Sequence, residues 1–91
     1  MMKSYMKKPI AITAVQYTGD NRDEILEFTS AANVTFEDEN GKKKAIIHTL
    51  EGNMEATPGC YVVKGPRGEF YPVQQDIFEE TYEEVYDWPF S

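Results

Sequence analysis

Apolar and β-branched residues alternate over Pro9–Tyr17, PIAITAVQY. In an extended chain Ile10, Ile12, Ala14 and Gln16 share one face, and Ala11, Thr13, Val15 and Tyr17 the other, so this stretch predicts a first strand with one well-buried face. Thr18–Gly19 breaks it, and the spacing changes to that of a helix over DNRDEILEFTSAAN. Asp20 or Asn21 can cap this helix, with Asp23 and Glu24 near its positive end. Ile25 and Leu26, with Phe28 and Thr29, form a narrow apolar stripe, and Asn33 supplies a stop, which predicts about three turns packed on a sheet by Ile25, Leu26 and Phe28.

VTFEDENGKKKAIIHTL predicts a hairpin turning at Asn40–Gly41, because a type I′ turn needs positive φ at both central residues. Val34 and Phe36 pair on one side, and the return is supplied by Ile47, or by Ile46 with His48 and Leu50. Glu37, Asp38 and Glu39 then face Lys42, Lys43 and Lys44, so the lysine run reads as a cross-strand charge ladder in preference to a phosphate-binding patch. Further turns fall at residues 51–53, at Pro58–Gly59 and at residues 66–68. Between them lie a short strand with Met54 and Ala56, a strand CYVVKG and a strand EFYPV, whose Pro72 marks an end or a sheet edge. A short helix at about 75–80 follows, with Asp76 near its start, and TYEEVYDW then reads as its continuation or, preferably, a last strand. The order β-α-β-β-β-β-β-α-β predicts an α+β domain: a small, twisted, mostly antiparallel sheet, curled toward a barrel in one version, with one main helix on a face and a short C-terminal helix. Tight turns between successive strands predict antiparallel neighbours.

Length agrees with a single domain over residues 1–91, with 1–8 flexible and 87–91 a tail. The opening, MMKSYMKKPIAITAVQY, imitates a signal peptide, but its apolar run is β-branched, ends at Gln16 and lacks a small-residue cleavage site. With no apolar run of membrane-spanning length and a single cysteine, Cys60, the expected location is the cytoplasm. Net charge is −7 and lies entirely in the second part of the chain. Residues 1–50 carry seven basic and seven acidic side chains, and residues 51–91 carry two basic and nine acidic. The acids gather at Asp76, Glu79, Glu80, Glu83, Glu84 and Asp87, a face that repels nucleic-acid backbones and suits a basic protein surface, or serves only solubility.

No catalytic or metal constellation stands out. One histidine, His48, and one cysteine cannot build a four-ligand zinc site within one chain, and no cofactor fingerprint occurs. A Cys60–His48 dyad requires neighbouring strands and a shared face, which nothing local demands. The stretch GPRGEFYPVQQDIF offers the remaining candidates. Lys64 and Arg67 are the last two cations of the chain and lie within four residues of Tyr61 and of Tyr71 respectively, a set that can clamp an anionic or flat ligand such as a nucleotide. The same stretch also reads as a hairpin turn, with Pro66 fixing φ, Arg67 at the tip, Lys64 pairing with Glu69 and Phe70 entering the core.

The C-terminal part carries a recurring pattern: Glu51-Gly52, then Pro58-Gly59, Tyr61 and two aliphatics, Lys64-Gly65, Gly68-Glu69, Tyr71-Pro72, Asp76-Ile77-Phe78, and Tyr82-Glu83. With KPIAITAVQYTGDN and EILEF at the front, this resembles a family of small bacteriophage and prophage proteins across most of Pro9–Val85, leaving YDWPFS outside. Position 60 departs from that pattern, which more often has an aspartate able to cap the turn. The resemblance implies a cytoplasmic, phage-encoded accessory protein without catalysis. Such a protein would act by binding a host or phage protein or a small anionic ligand, or as an acidic decoy for a host DNA-binding or defence protein. Aromatics beyond the needs of a small core, Tyr86, Trp88 and Phe90, add the expectation of a homo-oligomer.

Overall fold

The computed structural model describes residues 2–5, 10–31, 33–49 and 51–84. Six strands and two helices run in the order β1 (Thr13–Gln16), α1 (Arg22–Thr29), β2 (Val34–Glu39), β3 (Lys42–Thr49), β4 (Gly52–Ala56), β5 (Tyr61–Lys64), β6 (Phe70–Val73) and α2 (Gln75–Thr81). The class is α+β, but the strands form two separate three-stranded antiparallel sheets, β1-β5-β6 and β2-β3-β4, and neither closes into a barrel.

The second sheet is built from local signals. Asn40 and Gly41 have φ of 53° and 83°, the paired left-handed conformations that the two-residue turn requires. The resulting register sets Val34 against Ile47, Phe36 against Ala45, and Glu37, Asp38 and Glu39 against Lys44, Lys43 and Lys42. The ion pairs themselves lead elsewhere: Lys43 reaches Asp20 at 2.8 Å and Lys44 reaches Glu55 at 3.4 Å. The following turn closes earlier than expected, so Gly52 and Asn53 already belong to β4.

The first sheet is built from distant segments. β4 and β5 are joined by a tight turn yet are not neighbours. At that turn Gly59 takes φ 106° and its N–H donates to the Tyr17 carbonyl at 2.7 Å, while Tyr17 N–H donates to the Cys60 carbonyl at 2.8 Å. These bonds hand β5 over to β1, with Thr13 opposite Lys64 and Gln16 opposite Tyr61. Both strands of this pair are four residues long, so regular pairing begins at Thr13 and leaves Ile10 exposed. β6 pairs only with β5 and therefore carries Pro72 on a sheet edge, where its missing N–H breaks no ladder.

α1 has two turns, not three. Asn21 stands at its N-cap position but makes no capping bond to the helix. Its side-chain oxygen accepts from the Thr18 N–H at 2.8 Å, and its amide donates to the Gln16 carbonyl at 2.7 Å, which ties the helix start to the end of β1. The helix ends at Ser30 in the left-handed region, and Ala31 N–H closes on the Leu26 carbonyl at 2.6 Å, ahead of Asn33.

One core joins these parts. Tyr17 and Val62 from the first sheet, Val34, Ala45, Ile47 and Ala56 from the second, Ile25 from α1, and Cys60 pack together. Phe28, Phe36, Phe70 and Val15 close its margins. Burying one such aliphatic side chain stabilises by about 1.5–3 kcal/mol. The expected strand at the C-terminus is absent over Tyr82–Glu84, and its remainder, with Tyr86, Asp87, Trp88 and Phe90, lies outside the described residues.

Candidate functional site

Alternation along β5 decides where the candidate clamp residues go. Tyr61 and Val63 lie on the face opposite Val62, which belongs to the shared core cluster, although Val63 is itself fully buried. On the neighbouring strand Tyr71 stands opposite Val63, and Val73 opposite Tyr61, on that same outer face. Lys64 faces Phe70 on the other side, its ammonium 6.0 Å from the ring centroid. The expected Lys64–Glu69 pairing is therefore replaced by Lys64–Phe70. Gly65 N–H donates to the Glu69 carbonyl at 2.8 Å, and Arg67 sits exposed on the turn between them. The structure brings Tyr61 and Tyr71 onto one face but leaves Lys64 on the opposite face.

The outer aromatic face is covered by the chain's own α2. Phe78 stacks on Tyr61 with centroids 3.9 Å apart and planes 10° off parallel, and Tyr82 leans on Phe78 at 4.9 Å. A flat ligand would have to displace Phe78 to reach the ring face of Tyr61. Burial raises the Tyr71 hydroxyl above its ordinary pKa, and a hydrogen bond with Tyr82 adds to the shift. Burial likewise raises Tyr17, opposed by Arg22 and Lys43 nearby. A phenol whose pKa is higher folded than unfolded contributes stability that is complete below the unfolded value, near 10, and is lost as pH rises through the folded value. Urea midpoints should accordingly fall above pH 10. Tyr17→Phe should flatten that fall, and an unchanged slope would show that Tyr17 titrates normally.

α2 presents the acidic candidates. Asp76, Glu79 and Glu80 are exposed on the helix, with Glu83 and Glu84 exposed just beyond it. On the same helix Ile77 is 49% exposed. A groove of about 430 Å³ runs between this helix and the turn at Thr57, Pro58, Gly59 and Cys60.

His48 and Cys60 are kept apart. Cys60 is in the core cluster, its Sγ 3.6 Å from the Thr57 hydroxyl, whereas His48 lies on the outer face of the second sheet. There its Nδ1 is 2.7 Å from Asn53 Oδ1 and its Nε2 is 3.2 Å from Thr35 Oγ1. The Asn53 oxygen can only accept, so Nδ1 carries the proton in that arrangement. Among the described residues no group of three or more His, Cys, Asp or Glu side chains is placed to hold a metal ion. No described helix is long and apolar enough to cross a membrane.

Sequence reasoning missed a second cleft, of about 260 Å³, where Tyr17, Arg22 and Lys43 meet Phe36, Glu37 and Asp38 of β2. These residues are more than twenty positions apart in the chain at the extremes, and only the packing of α1 beside β2 unites them. No family model, no curated protein and no solved structure matches this chain.

Proposed function

We propose that this chain is a small phage- or prophage-encoded accessory protein that acts by binding, without catalysis, inside the bacterial cell. The contact surface is α2, and the partner is a protein with a basic surface. The observation that carries this reading is the exposed surface of α2, a short helix on which Asp76, Glu79 and Glu80 are all exposed together with half-exposed Ile77. A helix that exposes charge of one sign together with one apolar side chain suits a protein partner: the carboxylates steer a basic surface and the aliphatic group adds affinity. The inner side of the helix supports this use, because the Tyr61–Phe78 stack holds α2 on the sheet and leaves its charged side outward. A host DNA-binding or defence protein has the required basic surface, which gives the acidic-decoy form of the same reading.

The test is affinity capture from bacterial lysate at low and high salt, with mass spectrometry of the captured proteins. A variant carrying D76N, E79Q, E80Q and E83Q should lose a basic partner that the native chain retains. Binding lost in E79Q and E80Q but retained after Ile77→Ser would assign the contact to charge alone. Equal capture by the native and neutralised chains would remove the proposal.

A further inference from the structure

The cleft beside α1 combines three features that the α2 surface does not use. The first is an available guanidinium. Arg22, the first residue of α1, lies over the Phe36 ring at 4.8 Å, and no carboxylate pairs with it among the described residues. Stacking on a ring leaves the in-plane N–H groups of a guanidinium free to grip a carboxylate. The second is a phenol. Tyr17 lines the cleft, its ring centroid 6.0 Å from that of Phe36. Arg22, Lys43, Asp20 and Asp38 are the charges that act on its hydroxyl, and Arg22, Lys43 and Asp38 line the same cleft.

The third feature is the free edge of β2. The two-residue turn makes Glu39 and Lys42 a hydrogen-bonded pair, and alternation makes residues 37 and 44, and 35 and 46, hydrogen-bonded pairs as well. The bond from His48 N–H to the Asn33 carbonyl at 2.8 Å agrees with this phase. Phe36 and Asp38 therefore turn their backbone N–H and C=O groups away from β3, toward the cleft. The Asp38 carboxylate accepts one N–H, from Gly41 at 3.1 Å, and has capacity for another donor. The two remaining charges are already matched, since Lys43 is held by Asp20 at 2.8 Å. Glu37 lies across the ladder from Lys44, on the opposite face of the hairpin.

Unpaired Arg22 and Asp38, whose cross-strand neighbour Lys43 is drawn to Asp20, thus face a space of about 260 Å³, with outward-facing backbone groups at its edge. A simple anion would meet the Asp38 carboxylate, and a simple cation would meet Arg22. A molecule carrying both charges satisfies both. We propose that the cleft between α1 and the free edge of β2 binds a small zwitterion of the α-amino-acid type, its carboxylate on Arg22 and the Tyr17 hydroxyl and its ammonium on Asp38. The volume lies just below the usual range for small-molecule pockets, which selects amino acids with short side chains.

The test uses the full chain, isotope-labelled for nuclear magnetic resonance, and titrates it with L-alanine, acetate, methylammonium and N-acetylalanine methylamide. L-Alanine should shift the amide signals of Gly19, Arg22, Phe36 and Asp38 with a Kd of about 1 mM or tighter, and the two single-charge probes should bind about tenfold more weakly. R22Q and D38N should each weaken L-alanine about tenfold while leaving the remaining amide spectrum native, and Y17F should have a smaller effect of the same sign. An absence of shifts with L-alanine would overturn the proposal. So would acetate binding as tightly as L-alanine, or the uncharged peptide analogue doing so, because either result means that the paired charges do not select the ligand. Should one variant lose its native spectrum, the probe comparison on the native chain still decides the matter.

Discussion

Ile25→Ala should lower the free energy of unfolding by about 3 kcal/mol, within the range of roughly 2–5 kcal/mol for an isoleucine truncated in a packed core. Ile25 is fully buried, and it is the side chain through which α1 enters the cluster shared by both sheets. Two effects add at this position. The cavity forfeits contacts within the core cluster that Ile25 shares with Tyr17, Ile47 and Val62. In addition, α1 has only eight residues, and a helix of two turns does not persist in water without tertiary packing. For a domain of this size total stability is roughly 5–10 kcal/mol, so the loss removes a third or more of it. Urea unfolding followed by circular dichroism checks this. The midpoint should drop with the slope unchanged, whereas Leu26→Ala, at a half-buried position, should cost far less. A loss below about 1 kcal/mol for Ile25→Ala would mean that α1 is an ornament on a core that the sheets complete by themselves.

The contrast between the two sheets explains what was readable from the residues. The sheet β2-β3-β4 is written locally: Asn40–Gly41 fixes a turn type, the turn fixes the register, and period-two patterning fixes the inward face. The pairing of β1 with β5 has no such signature. Thr13 and Lys64 are partners across more than half the chain, and what selects them is Gly59, whose N–H faces the Tyr17 carbonyl instead of extending a β4–β5 hairpin. A Pro-Gly turn announces a change of direction but not which strand receives the chain afterwards. The same limit applied to the candidate clamp. Lys64 and Tyr61 are three residues apart, and an odd separation on a strand puts them on opposite faces. What the residues left unannounced was that α2 would return its Phe78 onto Tyr61 and that Arg22 would settle over Phe36. Both are contacts between separate elements, carried by ring faces that leave no spacing rule in the sequence. The helix cap shows a subtler difference: Asn21 occupies the expected position, but its side chain bonds Thr18, Gln16 and the Glu24 side chain, so it ties the helix to β1 without capping a backbone N–H of its first turn.

Gly59→Val should cost about 2 kcal/mol or more, because the residue sits at φ 106°, where a β-branched side chain is strained. Space offers little relief, since an added Cβ would lie 3.3 Å from the Gln75 side-chain oxygen. The location makes the strain consequential. Gly59 donates to the Tyr17 carbonyl and accepts the Gln16 side-chain amide at 3.1 Å, so rotating its backbone to relieve φ would break both bonds. The damage should therefore be directional. Hydrogen exchange should show lost protection at Tyr17 and along β1–β5, while the β2–β3 hairpin, which owes its register to Asn40–Gly41, stays protected to a later stage. Gly59→Ala should fall between the two, since it shares the positive φ but lacks the branched Cβ. Uniform loss of protection across both sheets would mean that they open as one cooperative unit, with the turn at Gly59 acting as part of a single core. Unaltered stability would mean that the backbone at residue 59 can leave φ 106° without releasing β5 from β1.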